Sequence, residues 1–216
     1  GTIHSPRVLR DIFGIKDFEI VDAEIITQGK IEIKNTGFEF DCKYENFRNG
    51  SINRESYLFA LNKAIEQAVK PVLVHVNSFN DLPSYDEKFK YGLSELITGQ
   101  QLKDTQWEDK ENKEIEKFKS GKINVLFTTK CNRGADFPGD LCRSVVFTKY
   151  PNPDVDSIFW KILNRTHKQY YWEFYKDKAK REFLQRVYRA VRSKDDWVYV
   201  LSPDKRVLDA VTTMNT

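Results

Sequence analysis

The chain of 216 residues predicts an α/β fold built on a doubly wound, mainly parallel sheet flanked by helices. Three short apolar runs carry that prediction, "PVLVHV" at 71–76, "INVLFTT" at 123–129 and "SVVFTKY" at 144–150. A strand covered on both faces loses the polar alternation of a half-exposed one, so such runs point to buried parallel strands. Between them lie segments with apolar residues three and four apart, the spacing of one helix face. With 40% hydrophobic residues, 15 Phe and 10 Tyr, the chain can fill a sizeable core, and one large domain over 1–216 is expected.

Taken in order, "FEIVDAEII" (18–26) and "GFEFDCKY" (37–44) alternate or run apolar as strands do. "NRESYLFALNKAIEQAVK" (53–70) is a helix with Tyr57, Leu58, Leu61, Ile65 and Ala68 on one face. After the 71–76 strand, "NSFNDLPSYDEKFK" reads as a loop leading into a helix. Thr105, with Glu108 three residues on, forms a capping box that opens a helix over 105–119, stopped by Gly121. Helices near 154–169 and 171–192 follow the 144–150 strand, and "WVYVLS" (197–202) is a further strand.

The net charge of +3 is too small to name a partner, so placement matters more than the total. Eleven basic residues against three acidic ones between Ile158 and Lys194 make the last third a basic, aromatic-rich region. Cys42, Cys131 and Cys142 lack C-x-x-C spacing, which fits neither a disulfide framework nor a self-contained zinc or iron–sulfur site. A reducing intracellular compartment follows as the expectation. No stretch reaches the roughly 18 apolar residues of a membrane span, and "GTIHSPRVLRD" has no signal-peptide core, so no membrane partner is expected.

In doubly wound sheets ligands lie beyond the C-terminal ends of strands, which directs attention to the loops after residues 76, 129, 150 and 202. Asn77, Ser78 and Asn80 offer donors to a phosphate there, or they cap the next helix. In "KCNRGADFPGD" (130–140), Gly134 and Gly139 let the backbone approach a ligand, and Asp136 can accept from a ribose hydroxyl, a coordinated water or an arginine. Alternatively the glycines and Pro138 only make the turn. In "LQRVYRAVRSKDD" (184–196), Leu184, Val187, Tyr188 and Val191 form an apolar stripe. Gln185, Arg189 and Arg192 cluster about 100° from its middle, where guanidinium forks suit phosphate oxygens or simply snorkel around the stripe. Absent are G-x-x-x-x-G-K-[ST], G-x-G-x-x-G, H-E-x-x-H and G-x-S-x-G. His4, His75 and His167 are scattered, and His75 falls in a buried strand pattern. The chain reads as half of a site.

Three segments in this order, "INVLFTTKCNRGADFPGDLCRSVVFTKYPNP", "LQRVYRAVRSKDD" and "SPDKR", resemble motifs V and VI, and what lies beyond, of superfamily 2 DNA helicases of the xeroderma pigmentosum group D (XPD) and DinG type. Gln185, Arg189 and Arg192 match the polar positions of that family's Q-x-x-G-R-x-x-R, with Tyr188 in place of its glycine. Arg133 stands where a glutamate often precedes the motif V glycine. "GTIHSP" (1–6) resembles motif III, and "KPVLVHVNSFNDL" resembles motif IV near 71–80. The resemblance implies a RecA-like second motor domain, with motif V near 128–139 and motif VI at 185–192. It implies ATP with Mg2+, mostly held by a first motor domain of the same polypeptide, and an iron–sulfur cluster in the full-length protein but not in this chain. Gly134, Asp136, Gln185, Arg189 and Arg192 would face the nucleotide, the last three catalytically. Ser78, Asn80, Thr129 and Lys130 would contact single-stranded or forked DNA, as in a repair enzyme, and no residue is assigned to a metal. Alone, the chain is expected to be inactive. A non-catalytic nucleic-acid or partner-binding module, and the motor domain of an RNA helicase, are the alternatives.

Overall fold

A computed structural model describes residues 4–21, 29–129 and 135–214. The elements run α1 (Pro6–Asp11), β1 (Lys30–Ile33), α2 (Tyr44–Arg48), α3 (Arg54–Glu66), β2 (Val72–His75), α4 (Tyr85–Lys90), α5 (Gly99–Glu108), α6 (Lys113–Lys119), β3 (Val125–Thr128), β4 (Ser144–Phe147), α7 (Ile158–Thr166), α8 (Tyr171–Val187), β5 (Trp197–Leu201) and α9 (Lys205–Met214). They group into two compact units, Gly1–Ile26 with Pro151–Arg186, and Thr27–Tyr150 with Val187–Thr216.

The second unit holds a five-stranded sheet in the order β1-β5-β4-β2-β3, every pair parallel. This is the predicted α/β, RecA-like arrangement. All four residues of β2 and of β4 are buried, which is why their sequences show no alternation. Val72, Val74, Val146 and Leu201 share one core with Tyr57, Leu58, Leu61 and Ile65 of α3. The helix stripe read from spacing is thus the face that meets the sheet. Each such side chain contributes about 1.5–3 kcal/mol by leaving water. Asn53 caps α3 by accepting from the Ser56 N–H at 2.7 Å.

Several boundaries differ from the sequence reading. "GFEFDCKY" is not a strand; it touches the sheet through one parallel bridge, Phe40 to Asp204. The Glu39 carboxylate accepts from Thr36 N, Thr36 Oγ1 and Gly37 N, with Gly37 at φ 85°, and this local turn competes with a ladder. The strand on that side is β1, four residues whose two isoleucines give too little pattern to stand out. In "FEIVDAEII", residues 18–21 are irregular and the rest lies outside the described residues. The 105–119 helix is two helices. Thr98 and Gln101, rather than Thr105 and Glu108, form the capping box, which opens α5. Asn112 at φ 58° breaks the run, and the Asp109 carboxylate takes the N–H groups of Lys113 and Glu114 to begin α6. Gly121, at φ 72°, follows the end of α6 as expected.

The first unit has its own small core of Val8, Trp160, Leu163, Tyr171 and Phe174. Its N-terminal stretch is tied to α8. His4 Nδ1 lies 2.7 Å from Asp177, Ser5 N donates to the same carboxylate at 3.0 Å, and Arg181 binds it at 3.1 Å. Residues 1–3 of the motif III resemblance lie outside the described residues. No helix of the described residues is long and apolar enough to cross a membrane.

Candidate functional site

The helix predicted to reach residue 192 ends at Val187, so Arg189 and Arg192 stand on a turn and an irregular stretch instead of a helix wheel. The backbone groups a longer helix would need are committed elsewhere. Arg189 O accepts from Phe137 N at 2.8 Å, and the Asp196 carboxylate accepts from Arg192 N at 2.6 Å and Ser193 N at 2.8 Å. Asp196 is buried, and its other oxygen accepts from Gly139 N at 3.0 Å. Burial acts to raise its pKa, but these N–H donors outweigh burial and hold it below the usual carboxylate value. Sequence reasoning missed Asp196; its only signal was its position just before a strand.

Glycine is required where this loop meets the sheet. A Cβ on Gly29 would lie 1.9 Å from Asp196 O. Gly29 N donates to Ser193 O at 3.0 Å and Lys30 N to Asp196 O at 2.8 Å, which seats the loop at the start of β1 and β5.

Asp136 lies between Ala135 and Phe137, both buried. Phe137 meets the Phe118 ring edge-on at 5.4 Å, and its anchoring leaves the carboxylate of Asp136 as the outward group. One oxygen, Oδ1, accepts from Arg189 Nη1 at 2.8 Å and also from Arg192 Nη2. An arginine was among the partners the sequence left open to Asp136, and two are present. The Asp136 and Arg192 side chains are 46% and 41% exposed, while Arg189 is 15% exposed. Burial pushes the Asp136 carboxyl up, but the hydrogen bonds and charges of Arg192 and Arg189 prevail, and its pKa falls below the ordinary value.

Ser78 and Asn80 do not join this cluster. Ser78 and Asn80 are exposed beyond the C-terminal end of β2, whereas the arginine loop precedes β5, at the opposite end of the strands. The described part of the β3–β4 return carries only a 3-10 turn (Gly139–Leu141), and Gly139 is bound at the start of β5, so Asp136 lies on a path leading back towards strand starts. Ser78 Oγ accepts from Asn80 N at 3.3 Å, the capping alternative. The buried Asp81 accepts from Ser78 N at 3.1 Å, Thr148 Oγ1 at 2.9 Å and Lys149 Nζ at 2.8 Å, pinning the loop to the end of β4. Thr129 Oγ1 is hydrogen-bonded to Gln106 at 2.7 Å. Gln185 is half-buried on α8 and belongs to the helical unit. Lys130 and Gly134 lie outside the described residues, as do Cys131 and Arg133.

Three cysteines cannot supply a four-cysteine cluster. Burial pushes the Cys42 and Cys142 thiols up to about 12, so both stay protonated, and they donate to Pro203 O and Ser144 O. Among the described residues no group of three or more His, Cys, Asp or Glu is placed to hold a metal ion.

The sequence profile of the helicase C-terminal domain family matches residues 53–215, well over half of the chain. The chain belongs to that family. Within this helicase C-terminal domain, 96 residues, 42% of the chain, are 28% identical to the ATP-dependent DNA helicase DinG of Photobacterium profundum, 14% of whose length they cover. Among solved structures, an apo XPD is similar over 100% of the chain with a TM-score of 0.63 at 22% identity, and the chain covers 45% of it. An XPD helicase gives a TM-score of 0.62 at 20% identity, with 100% of this chain and 41% of that one covered. For Xpd4 of S. tokodaii the TM-score is 0.54 at 20% identity, over 92% of this chain and 38% of the other. The fold is that of the XPD helicases, and the chain spans under half the length of those relatives.

Proposed function

We propose that this chain is the C-terminal motor domain of an ATP-dependent DNA helicase of the XPD/DinG type, working inside the cell in DNA metabolism such as repair. Its part in catalysis is to bring Arg189 and Arg192, with Gln185, to the γ-phosphate of ATP and Mg2+ held mainly by a first motor domain of the same polypeptide. The observation that carries this reading is the sharing of one Asp136 oxygen by two guanidinium groups at a half-exposed position. Two cations on one carboxylate leave a net positive charge, and a γ-phosphate oxygen cluster neutralises it more fully and accepts bidentately. Asp136 then occupies the arginines until the nucleotide takes them over. This links nucleotide state to the geometry of the 135–139 loop, and Gly134 belongs to the same segment. Guanidinium groups supplied across a domain interface stabilise the charge that develops on the transferred phosphoryl group.

DNA runs over the strand ends, where Ser78, Asn80, Thr129 and Lys130 contact its backbone without reading sequence. Phosphate contacts do not distinguish sugars, so an RNA motor is the second reading, and RNA-stimulated hydrolysis exceeding DNA-stimulated hydrolysis would favour it. The chain alone turns over no ATP because it lacks a triphosphate-cradling loop. The test is ATP turnover by a protein carrying both motor domains. Arg189→Ala lowers kcat by about 10³-fold. Unchanged turnover overturns the assignment and leaves a non-catalytic binding module.

A further inference from the structure

The basic stretch around α8 has a feature that the arginine loop does not use. Each acidic residue of the helix is engaged internally. Glu173 pairs with Arg7, Asp177 with His4 and Arg181, and Glu182 with Arg186 and Lys178. Their side chains are mostly buried, at 29%, 12% and 15% exposure. Trp172, Lys176 and Lys180 are exposed and follow one another four residues apart, forming a ridge with a step of about 6 Å. No ion pair engages Lys176 or Lys180 among the described residues, nor Arg165 and Lys168 just before the helix. Internal pairing has removed the negative charge from this face and left the positive charge in solvent.

Trp172 is 63% exposed, yet its orientation is fixed. The rings of Tyr171 and Tyr175 meet it nearly perpendicular, with centroids at 5.0 Å and 5.5 Å. A rigid indole beside a row of unopposed cations suits a ligand with both phosphates and accessible π-faces, and paired bases do not present their faces.

We infer that the Trp172–Lys176–Lys180 ridge is a binding surface for single-stranded DNA, one unpaired base stacking on Trp172 while the lysines take successive phosphates. The choice of DNA as the polyanion rests on the motor reading above, whereas the ridge itself rests on the pairing of the acids.

The experiment uses the full chain, a labelled oligothymidylate and a salt series read by fluorescence anisotropy. Trp172→Ala raises Kd about tenfold, and Trp172→Phe keeps most of the affinity. Lys176→Gln with Lys180→Gln flattens the slope of log K against log salt by about 1.4. Heparin, a polyanion without bases, binds less to the lysine variant and equally to Trp172→Ala. The inference is overturned if Trp172→Ala leaves oligothymidylate binding unchanged, or if it weakens heparin as much as DNA. It is also overturned if the variants lose affinity for phosphatidylserine vesicles and none for DNA. Should Ser78→Ala and Asn80→Ala abolish DNA binding while the ridge variants do not, the ridge fails and the motor reading survives. That reading stands or falls separately on the ATP turnover of Arg189→Ala.

Discussion

Asp204 and Asp136 both hold arginines in the sheet unit, but on different terms. Asp204 is fully buried and meets Arg206 as a fork, Nε on one oxygen at 3.0 Å and Nη2 on the other at 2.7 Å. It also accepts from Tyr150 N at 2.9 Å, and Arg206 reaches Cys42 O at 2.8 Å. Asp136 offers one oxygen to two guanidiniums and is nearly half exposed. The first arrangement pairs both carboxylate oxygens of a fully buried aspartate with one guanidinium, so removing that guanidinium leaves a buried charge. The second shares one oxygen between two guanidiniums at a half-exposed carboxylate, within reach of solvent. A sequence shows arginines and aspartates alike in both places; burial and the way the oxygens are shared tell the two apart.

The sharpest way to break this contrast is Asp204→Ala, which strands Arg206. It should cost about 3–5 kcal/mol, seen as a lower urea midpoint with unchanged m-value, and a loss below about 1 kcal/mol would remove the distinction. Next is Asp196→Asn, expected to cost about 1–3 kcal/mol by weakening the acceptor for three N–H groups. Because the folded pKa of Asp196 is depressed, its contribution is fully present above the ordinary carboxylate value of about 3.9 and is lost as pH falls through the lower folded value. Melting curves from about pH 7 to about pH 3 should therefore converge for wild type and Asp196→Asn at the acid end, and parallel curves would contradict the assignment. Asp136→Asn should be the mildest, under about 1 kcal/mol at a half-exposed site. It should tighten binding of inorganic tripolyphosphate to the chain a few-fold in isothermal titration; weaker binding would mean that Asp136 positions the arginines instead of occupying them.

What the sequence made legible follows from what each signal depends on. The β2 and β4 runs were readable because burial on two faces leaves its mark on consecutive residues, β3 and β5 because their partly covered faces are apolar too, and the stripe of α3 because one face repeats along its length. β1 escaped because its place is set by Gly29 and the β5 pairing, not by its own four residues. The end of α8 was misplaced for a related reason. "LQRVYRAVR" has good helical spacing, but the Asp196 carboxylate just downstream and the Phe137 N–H far upstream claim its backbone groups. At the site, Asp136, Arg189 and Arg192 were readable as residue types suited to phosphate chemistry, and the structure brings those three together. Asp136, in the loop after β3, was expected at the strand ends that carry Ser78 and Asn80, whereas the described part of that loop leads it back towards the start of β5.

The bare α-carbon at position 29 has a wider implication. Any methyl group there collides with the Asp196 carbonyl, so the loop bearing Arg192 can rest on the edge strand only because one residue has nothing to offer but hydrogen. Gly29→Ala would leave every arginine in the sequence unchanged, yet it would lift the segment that carries Arg192 off its seat.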